Sequence, residues 1–338
     1  MKNLVVTGGY GFLGQYLVHS LLAEMPGVRI KILDLKRPDS LIFAHENDPR
    51  VTSSFINICD YDTLAPHFAD ADTVIHLVGL VSSSIKDKDK LFAINVEGTE
   101  NVLRAMLENN VTRLLHISSV AALGFPQKGG EPIDEDFRFD WDIARRRKKY
   151  YTLTKHLADV RVLAYREKGV DSIILHPSLL YGPGDVANSS RIIRAIKDGK
   201  IPFNMPGGMT AIHVQDVAAG IIAALKSDLL NEQILLSGEN HTFTEINDII
   251  AQQLNVDPPK RTMPRFLHPL LPPLLQALEN MSKKKLQLTA DDVDNAFRFR
   301  YFSNAKAKQL LGWQPQFTFA ETINETIKWM RQHGHLDK

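Results

Sequence analysis

The sequence predicts an α/β protein built on a doubly wound parallel sheet, followed by a smaller C-terminal region. The first observation is a short β-branched run that ends in glycines and precedes a helical segment and a second strand. The second is that strand and helix patterns keep alternating along the first 180 residues, as in sheets with helices on both faces. The third is size, since 338 residues with 44% apolar content suffice for a large domain and a smaller partner.

The elements of the first half follow in a regular order. "KNLVVTGG", "VRIKILDL" and "RVTSSFINI" are predicted strands, and "FLGQYLVHSLLAEM" and "YDTLAPHFA" are predicted helices. "DTVIHLVG", "VTRLLHISS" and "VDSIILHP" are further strands, and "LFAINVEGTENVLRAMLENN" is predicted as one long amphipathic helix. We expect residues 1–180 and 211–238 to form the sheet domain, completed by "EQILLSG", and residues 181–210 and 239–338 to form the substrate-binding region.

The turn "TGGYGFLG" joins the first strand to the first helix. It contains GxGxxG spacing through Gly9, Gly11 and Gly14, and GxxGxxG spacing through Gly8, Gly11 and Gly14. Such a turn lets backbone N–H groups approach a pyrophosphate at the positive end of a helix. An ordinary glycine-rich turn is the alternative, but the position between a strand and a helix favours a dinucleotide site.

Asp34 lies twenty residues beyond Gly14, at the end of the second predicted strand. Its carboxylate would accept hydrogen bonds from the adenosine ribose and would repel a 2′-phosphate, which favours NAD over NADP. Lys36 and Arg37 follow closely and could reach such a phosphate, so NADP stays open as an alternative.

The segment "KKYYTLTKH" carries the predicted chemistry. Tyr151 and Lys155 are four residues apart and share one face of a helix, whereas Tyr150 has only Thr154 at that spacing. Removal of hydride from a carbinol requires a base for the hydroxyl proton, and a nearby ammonium lowers the tyrosine pKa from about 10. We therefore predict Tyr151 as general acid/base and Lys155 as its helper and ribose ligand. An exposed helical pair is the alternative, and Tyr150 is expected to pack or to line the substrate.

These segments resemble the extended short-chain dehydrogenase/reductase family, also described as NAD-dependent epimerases/dehydratases. "TGGYGFLG", "NVEGTENVL", "HISSVAALG", "YTLTK", "HPSLLYGPGD", "HVQDVAAGIIAAL" and "KAKQLLGWQP" look like its recurring segments in the family's order. The most similar branch is that of 3β-hydroxysteroid dehydrogenases and dihydroflavonol-reductase-like proteins. The resemblance covers nearly the whole chain and implies a Rossmann fold with NAD as cofactor.

The resemblance also implies roles at matching positions. Ser119, rather than Ser118, matches the donor to the substrate oxygen, because it lies five residues before Gly124, which is the family's usual spacing between these two positions. The chain departs from the family at Asn57, where aspartate is common, and at His176, where arginine is usual. The residues implied to contact the cofactor are Gly8, Gly11, Phe12, Leu13, Gly14, Asp34, Asn57, Ile58, Leu77, Val78, Gly79, Asn95, Tyr151, Lys155, Pro177 and Ser178.

Several functional classes are disfavoured by the sequence. A net charge of +1 gives no broad argument for nucleic-acid binding. Cys59 is the single cysteine, which fits a reducing compartment such as the cytoplasm. No metal is predicted, because the residues that could suggest one are interpreted as core or strand-end histidines, namely His76, His116, His176 and His213.

The predicted reaction is NAD(P)-dependent interconversion of a secondary alcohol and a ketone on an apolar molecule that is sterol-like, flavonoid-like or long-chain. A nucleotide-sugar epimerase/dehydratase and a non-catalytic dinucleotide sensor are the alternatives. Enzymes of the first kind usually place an arginine just before "HVQDV" to hold a pyrophosphate, and Met209 to Ala211 stand there instead. The residues that could substitute for this arginine are Arg191, Arg194, Arg298 and Arg300.

Two segments suggest contacts beyond the substrate. The basic run Arg145 to Lys149 is interpreted as a solvated face, with attraction of an anionic lipid or substrate as the alternative. The apolar, proline-rich run 266–281 is too short and too interrupted to cross a bilayer, and Lys283 to Lys285 follow it. An ordinary cap helix and peripheral membrane contact through 266–285 are both open for this segment, and a homodimer is a further open possibility.

Overall fold

The computed structural model describes residues 2–38, 41–45, 47–124 and 130–337, and every predicted site residue falls within these ranges. The strands are β1 Asn3–Thr7, β2 Arg29–Asp34, β3 Val51–Phe55, β4 Thr73–His76, β5 Arg113–Ile117, β6 Asp171–Pro177, β7 Leu179–Tyr181, β8 Gly208–His213, β9 Gln233–Leu236, β10 Glu239–Thr242 and β11 Phe299–Arg300. Seven of them form a parallel sheet in the order β3-β2-β1-β4-β5-β6-β9. The predicted doubly wound sheet is therefore confirmed, and the segment "EQILLSG" supplies its last strand.

Some of the helices cover both faces of this sheet, and others pack around a separate core. The helices are α1 Phe12–Glu24, α2 Tyr61–Leu64, α3 Lys88–Leu91, α4 Gly98–Glu108, α5 Trp141–Arg146, α6 Tyr150–Arg166, α7 Ser189–Lys197, α8 Val214–Lys226, α9 Phe243–Leu254, α10 Leu271–Met281, α11 Ala290–Ala296, α12 Ala305–Leu311 and α13 Phe319–Gln332. Helices α1 and α8 pack together on one face around a core that includes Leu17 and Ile221. Helices α4 and α6 pack on the other face around Leu103 and Val162.

Two predicted helices are interrupted in the structure. The long helix predicted over Leu91 to Asn110 is wrong as a single element, because a π-helical turn, Phe92–Glu97, separates α3 from α4. Its wider turn accompanies the buried Asn95 and the close packing of Gly98, where a Cβ atom would lie 2.5 Å from Ile58 Cδ1. The predicted "YDTLAPHFA" helix changes after α2 to a 3₁₀ turn, Ala65–Phe68, since Pro66 lacks the N–H that an α-helix would use.

A second, smaller sheet lies beside the main one. Strand β8 pairs antiparallel with β10 and parallel with β7 and β11. Helices α7, α9 and α13 surround a separate core, which includes Ile193, Ile250 and Ile327. The second sheet takes strands from both sides of the predicted boundaries at 180 and 211, and the division into two regions stays a prediction. In the described part of the chain, no helix is both long and apolar enough to cross a membrane.

Candidate active site

A cavity of about 910 Å³ lies where β1, β4, β5 and β6 end. Ligands of doubly wound sheets bind at this carboxyl edge, because the loops there are free to form a crevice. Asp34, Asn57, Ile58, Val78 and Asn95 are not among the residues that line the cavity. The predicted site residues that do line it are Gly8, Gly11, Phe12, Leu13, Gly14, Leu77, Gly79, Ser119, Tyr151, Lys155, Pro177 and Ser178.

The glycine turn forms one wall of the cavity. Gly8 has a φ of +75°, and its N–H donates to the Leu33 carbonyl at 2.8 Å. A Cβ atom on Gly14 would lie 2.3 Å from the Gly8 carbonyl oxygen, so the turn and α1 can approach this closely only without a side chain there. No described side chain caps the start of α1, which begins after Gly11. This backbone cradle at a helix N-terminus fits the pyrophosphate of a dinucleotide.

Asp34 stands beside the glycine turn at the end of β2. Its Oδ2 accepts the Tyr10 N–H at 3.0 Å and its Oδ1 accepts the Leu35 N–H at 2.8 Å. Burial raises the pKa of Asp34, and these hydrogen bonds oppose the rise. The carboxylate is thus held next to the turn, as the predicted contact with the adenosine ribose requires.

The adenine side of the predicted site lies beyond β3. The exposed Asn57 accepts the Cys59 N–H at 3.0 Å through its side-chain oxygen, and Ile58 is buried. Asn95 holds the segment after β4: its Oδ1 accepts the Leu80 N–H at 2.7 Å, and its Nδ2 donates to the Leu80 carbonyl at 3.0 Å. The geometry therefore gives Asn95 a supporting contact to the cavity wall, and its direct contact with a cofactor stays a prediction.

Tyr151, Lys155 and Ser119 meet on one wall of the cavity. Tyr151 and Lys155 both face the cavity from α6, as their spacing predicts. The Lys155 ammonium donates to the Ile117 carbonyl at 3.2 Å, and Ser119 hydrogen-bonds Tyr151. Ser119 also accepts the Ala121 N–H at 3.2 Å and so starts the short 3₁₀ turn after β5. This serine both caps a turn and touches the predicted acid/base.

The electrostatics of Tyr151 differ from the prediction. Burial raises its pKa, and the hydrogen bond from Ser119 and the positive charge of Arg300 oppose the rise. Burial lowers the pKa of Lys155 to about 8, while the negative charge of Asp159 opposes the fall. The expectation that Lys155 lowers the tyrosine pKa is therefore corrected, because burial dominates and the opposing cation is Arg300. Arg300 lies on β11, so far along the chain from Tyr151 that local spacing could not reveal this electrostatic effect.

A buried ion cluster holds the start of α6. Lys149 is fully buried, and its ammonium donates to Asn295 Oδ1 and contacts Asp294 Oδ2, each at 2.9 Å. Lys149 also pairs with Asp291, and Arg147 pairs with Asp294. The interpretation of this basic run as a solvated face is wrong for Lys149, because acidic partners on α11 compensate its charge. The sequence offered no local sign of partners about 140 residues away.

The C-terminal part of the chain completes the cavity. Sequence reasoning predicted that this region would cover the substrate but did not name most of the residues involved. The cavity is also lined by residues that follow Ser178 in the chain, namely Leu179, Leu180, Asn188, Arg191, Met209, Thr210, Lys285, Leu286, Gln287, Thr289, Asp291, Asp292, Asn295, Arg300 and Phe302.

The histidines that could have suggested a metal have other partners. His76 Nδ1 lies 2.6 Å from Thr7 Oγ1, and His176 Nε2 lies 2.9 Å from Asp159 Oδ2. His213 Nδ1 accepts the Gln215 N–H at 3.1 Å. Within the ranges that the structure describes, no group of three or more potential metal ligands gathers.

Comparison with known proteins identifies the family. Residues 4–236 match the NAD dependent epimerase/dehydratase family. The chain is 29% identical to sterol-4-alpha-carboxylate 3-dehydrogenase, decarboxylating, from Bos taurus, over 100% of this chain and 94% of that protein. It is 28% identical to a putative dihydroflavonol 4-reductase from Synechocystis, over 98% of this chain and 95% of that protein.

Solved structures with the same fold extend the comparison. The crystal structure of gox2253 has a TM-score of 0.83 and 28% identity, and each chain is covered completely, 100% and 100%. A dTDP-glucose 4,6-dehydratase from Streptomyces venezuelae has a TM-score of 0.79 over 97% of both chains, but at 22% identity it supports the fold alone.

These findings confirm the predicted fold class, enzyme class and dependence on NAD. The oxidoreductase prediction agrees with the names of the most similar relatives, 3-dehydrogenase and reductase. The roles of individual site residues stay predictions. With the glycine turn, the Tyr151–Lys155 pair and a family match that spans most of its length, the chain belongs to the NAD dependent epimerase/dehydratase family.

Proposed function

We propose that this chain is an NAD-dependent oxidoreductase that interconverts a secondary alcohol and a ketone on an apolar substrate, with Tyr151 as general acid/base. The observation that carries this proposal is the convergence of Ser119, Tyr151 and Lys155 on the cavity that also contains the glycine turn. The relatives named as a sterol 3-dehydrogenase and a dihydroflavonol reductase support the same reaction class.

Each of the polar residues in the cavity would have a different role in the reaction. NAD, when bound, supplies the acceptor or donor of hydride. In the oxidative direction Tyr151 takes the proton from the substrate hydroxyl, and Ser119 donates a hydrogen bond to the same oxygen. The Lys155 ammonium would bind the nicotinamide ribose, with Pro177 and Ser178 flanking the ring. Arg300 favours the ionised form of Tyr151, because its positive charge opposes the effect of burial.

The walls of the cavity suit an apolar substrate. Leu80, Val81, Leu286 and Phe302 contribute apolar surface beyond the catalytic residues. Met209 also lines the cavity, on the strand where a nucleotide-sugar enzyme would be expected to carry an arginine. A sterol-like, flavonoid-like or long-chain molecule would bury its apolar surface against these side chains.

One observation favours a nucleotide-sugar epimerase/dehydratase as a second candidate. Arg191 and Arg300 both line the cavity and could contact a pyrophosphate. The other two candidate arginines are engaged elsewhere: Arg194 donates to the His335 carbonyl at 2.9 Å, and Arg298 pairs with Asp294 at 3.0 Å. A non-catalytic sensor is disfavoured, because it would not need the Ser119–Tyr151 contact.

A substrate panel separates the two enzymatic candidates. Purified protein would be incubated with NAD(H) and with sterol, flavonoid-like and long-chain alcohols or ketones, and separately with UDP- and dTDP-sugars. We expect a change in reduced-nicotinamide absorbance with members of the first group, and loss of that change in Tyr151→Phe. Faster epimerisation or dehydration of a nucleotide sugar would replace the leading proposal with the second candidate.

We further propose peripheral membrane contact through residues 266–285, because α10 and the residues just before it expose their apolar side chains. The exposed fractions are 72% for Phe266, 61% for Leu270, 58% for Leu274, 47% for Leu278 and 82% for Met281. The opposite face of α10 buries a carboxylate, Glu279, which accepts the Ala290 N–H at 3.1 Å. A helix that turns leucines outward and a glutamate inward needs an apolar partner.

Charge favours a lipid surface over a second copy of the chain as that partner. Three exposed lysines follow α10 directly, and one of them, Lys285, pairs with Asp87 at 2.7 Å. The other two are Lys283 and Lys284, so two copies joined along this face would bring like charges together. Anionic lipid would attract the same lysines. Lys285 and Leu286 line the catalytic cavity, so an apolar substrate could enter from the membrane side. The single, exposed Cys59 supports a cytoplasmic location for the protein, so that residues 266–285 would contact the cytoplasmic side of a membrane.

Vesicle co-sedimentation tests the membrane proposal. We expect binding to vesicles that contain phosphatidylserine and much weaker binding to phosphatidylcholine vesicles. The double variant Leu274→Gln/Leu278→Gln should lose binding, whereas Leu230→Gln, at a leucine of 51% exposure outside this surface, should retain it. Equal binding by both variants would contradict the proposal. A wild-type dimer that the double variant loses, without vesicle binding, would assign the surface to a second copy.

A further inference from the structure

A row of buried polar side chains runs along the carboxyl ends of the central strands. Thr7 on β1 contacts His76 on β4, and the His76 ring stacks on His116 of β5 with centroids 5.4 Å apart. His76 Nε2 also lies 3.1 Å from Thr99 Oγ1 on α4. The row continues to His176 on β6. These groups are almost completely buried, although apolar side chains would fill the space without any need for polar partners.

Asp159 joins this row to the catalytic helix. It lies four residues after Lys155 and eight after Tyr151 on α6, so all three residues share one face. Its Oδ2 lies 2.9 Å from His176 Nε2, and its Oδ1 lies 3.4 Å from His116 Nε2. The carboxylate is therefore bracketed by two imidazoles from adjacent strands, and its position relative to Lys155 is fixed by the helix.

The charges around Lys155 give this carboxylate a specific effect. Burial penalises the ammonium, and the negative charge of Asp159 opposes that penalty. Despite its own burial, Asp159 keeps a pKa well below the usual value, because the His116 ring 3.4 Å away and the hydrogen bond with His176 stabilise its charge. Burial lowers the pKa of His116, so near neutral pH that ring is uncharged and can still donate one N–H.

Other titratable groups also face this pair from the elements packed around it. His76 and His116, on β4 and β5, lie near Lys155, and Tyr151, His156 and His176, on α6 and β6, lie near Asp159. Arg300 on β11 approaches Tyr151 from the C-terminal part of the chain. None of these described groups carries a negative charge at neutral pH. Asp159 is thus the counter-charge for Lys155 among them.

We propose that Asp159 is a positioning residue of the active site, whose carboxylate, fixed between His116 and His176, keeps the Lys155 side chain charged at the cavity wall. This inference deepens the proposed function, since it depends on Lys155 acting as a cation beside Tyr151. It does not depend on the identity of the substrate. The carboxylate acts through Lys155, and it lies outside the cavity lining.

The test is a direct titration of Lys155 in the full-length protein. Lysine side chains would be isotopically labelled, and the Lys155 signal would be identified by its loss in Lys155→Met. In the wild type we expect a titration midpoint of about 8. Asp159→Asn keeps the shape but removes the charge that stabilises the ammonium, so the midpoint should fall by about one pH unit, a tenfold change in protonation equilibrium. An unchanged midpoint would overturn the proposal.

Thr99→Val is the matched control. It removes a buried hydrogen bond to His76 from the same polar row and leaves every charge in place. The Lys155 midpoint should stay unchanged in this variant. An equal shift in both variants would mean that disruption of the buried polar row, and not loss of the Asp159 charge, moves the midpoint, and this would overturn the proposal. If Asp159→Asn does not fold, Asp159→Ser is titrated with the same expected and contradicting results. Because no substrate is used, failure of this inference is distinct from failure of the substrate panel.

Discussion

Helices α6 and α10 place their charged and apolar side chains in opposite ways. Helix α6 carries Lys155 and Asp159 into the interior, where backbone and histidine partners compensate them. Helix α10 keeps Glu279 inside and turns Leu274 and Leu278 to the outside. Burial of charge is costly unless partners are supplied, and exposure of a row of leucines is costly unless another surface covers it. We therefore propose proton chemistry for α6 and contact with an apolar phase for α10.

The largest expected effect comes from the phenol on α6. Tyr151→Phe removes the group that carries the proton, so we expect turnover to fall by about 10²- to 10⁴-fold. NADH affinity, measured by fluorescence titration, should stay within about twofold, since the ring remains. Tyr150→Phe is the matched control and should keep most activity. Inactive Tyr150→Phe with active Tyr151→Phe would mean that the wrong tyrosine had been assigned.

The buried ion cluster at the start of α6 gives the next largest effect. Lys149→Met leaves Asp291 and Asp294 short of a buried cation, so the free energy of unfolding should fall by about 3–5 kcal/mol in urea denaturation. Arg147→Met removes a more exposed cation from the same Asp294 and should cost about 1 kcal/mol or less. Equal losses in the two variants would show that burial of Lys149 does not determine its contribution.

The glycine turn, on another wall of the cavity that Tyr151 faces, gives a third test. Gly14→Ala would force a Cβ atom to within 2.3 Å of the Gly8 carbonyl oxygen. Distortion of the turn should weaken NADH binding at least about 100-fold, or about 2.8 kcal/mol. At Gly27 a Cβ atom would meet nothing within 4 Å, so Gly27→Ala should bind NADH normally. Normal binding by Gly14→Ala would exclude this turn as the pyrophosphate site.

The smallest effect concerns cofactor selectivity. Asp34→Ala removes the carboxylate beside the turn, so the preference for NADH over NADPH should narrow by about tenfold, or about 1.4 kcal/mol. Lys36→Ala is the control and should leave that preference in place. Tighter binding of NADPH than NADH by the wild-type protein would contradict the role of Asp34 and would point to Lys36 and Arg37.

The features that depend on local spacing were the most predictable. The glycine turn, Asp34 and the Tyr151–Lys155 pair follow from local spacing, because each pattern depends on neighbours within one turn or one βαβ unit. The π-helical turn around Asn95 was not predictable, because the Asn95 side chain hydrogen-bonds Leu80 and Thr154, which lie elsewhere in the chain. The sequence showed that 266–281 is apolar but could not show which face of the segment points outward.

The partners of buried charges were the least predictable features. Lys149 pairs with Asp291 and Asp294, and the positive charge of Arg300 acts on the pKa of Tyr151. In both cases the partners are about 140 to 150 residues apart along the chain. No spacing rule connects such residues, because their proximity is set by packing of the C-terminal part against α6. The corrected direction of the Tyr151 pKa has the same origin, since burial depends on this packing.

We propose one route through the molecule, in which an apolar substrate enters through the surface beside α10 and is oxidised or reduced at Tyr151. One measurement tests both halves: NAD(H)-linked turnover of a long-chain secondary alcohol dissolved in phosphatidylserine vesicles, compared with a short water-soluble analogue. We predict that Tyr151→Phe loses turnover of both alcohols, while Leu274→Gln/Leu278→Gln loses turnover of the vesicle-dissolved alcohol alone. Full activity of the leucine variant on vesicles, or of Tyr151→Phe on either alcohol, would exclude this route.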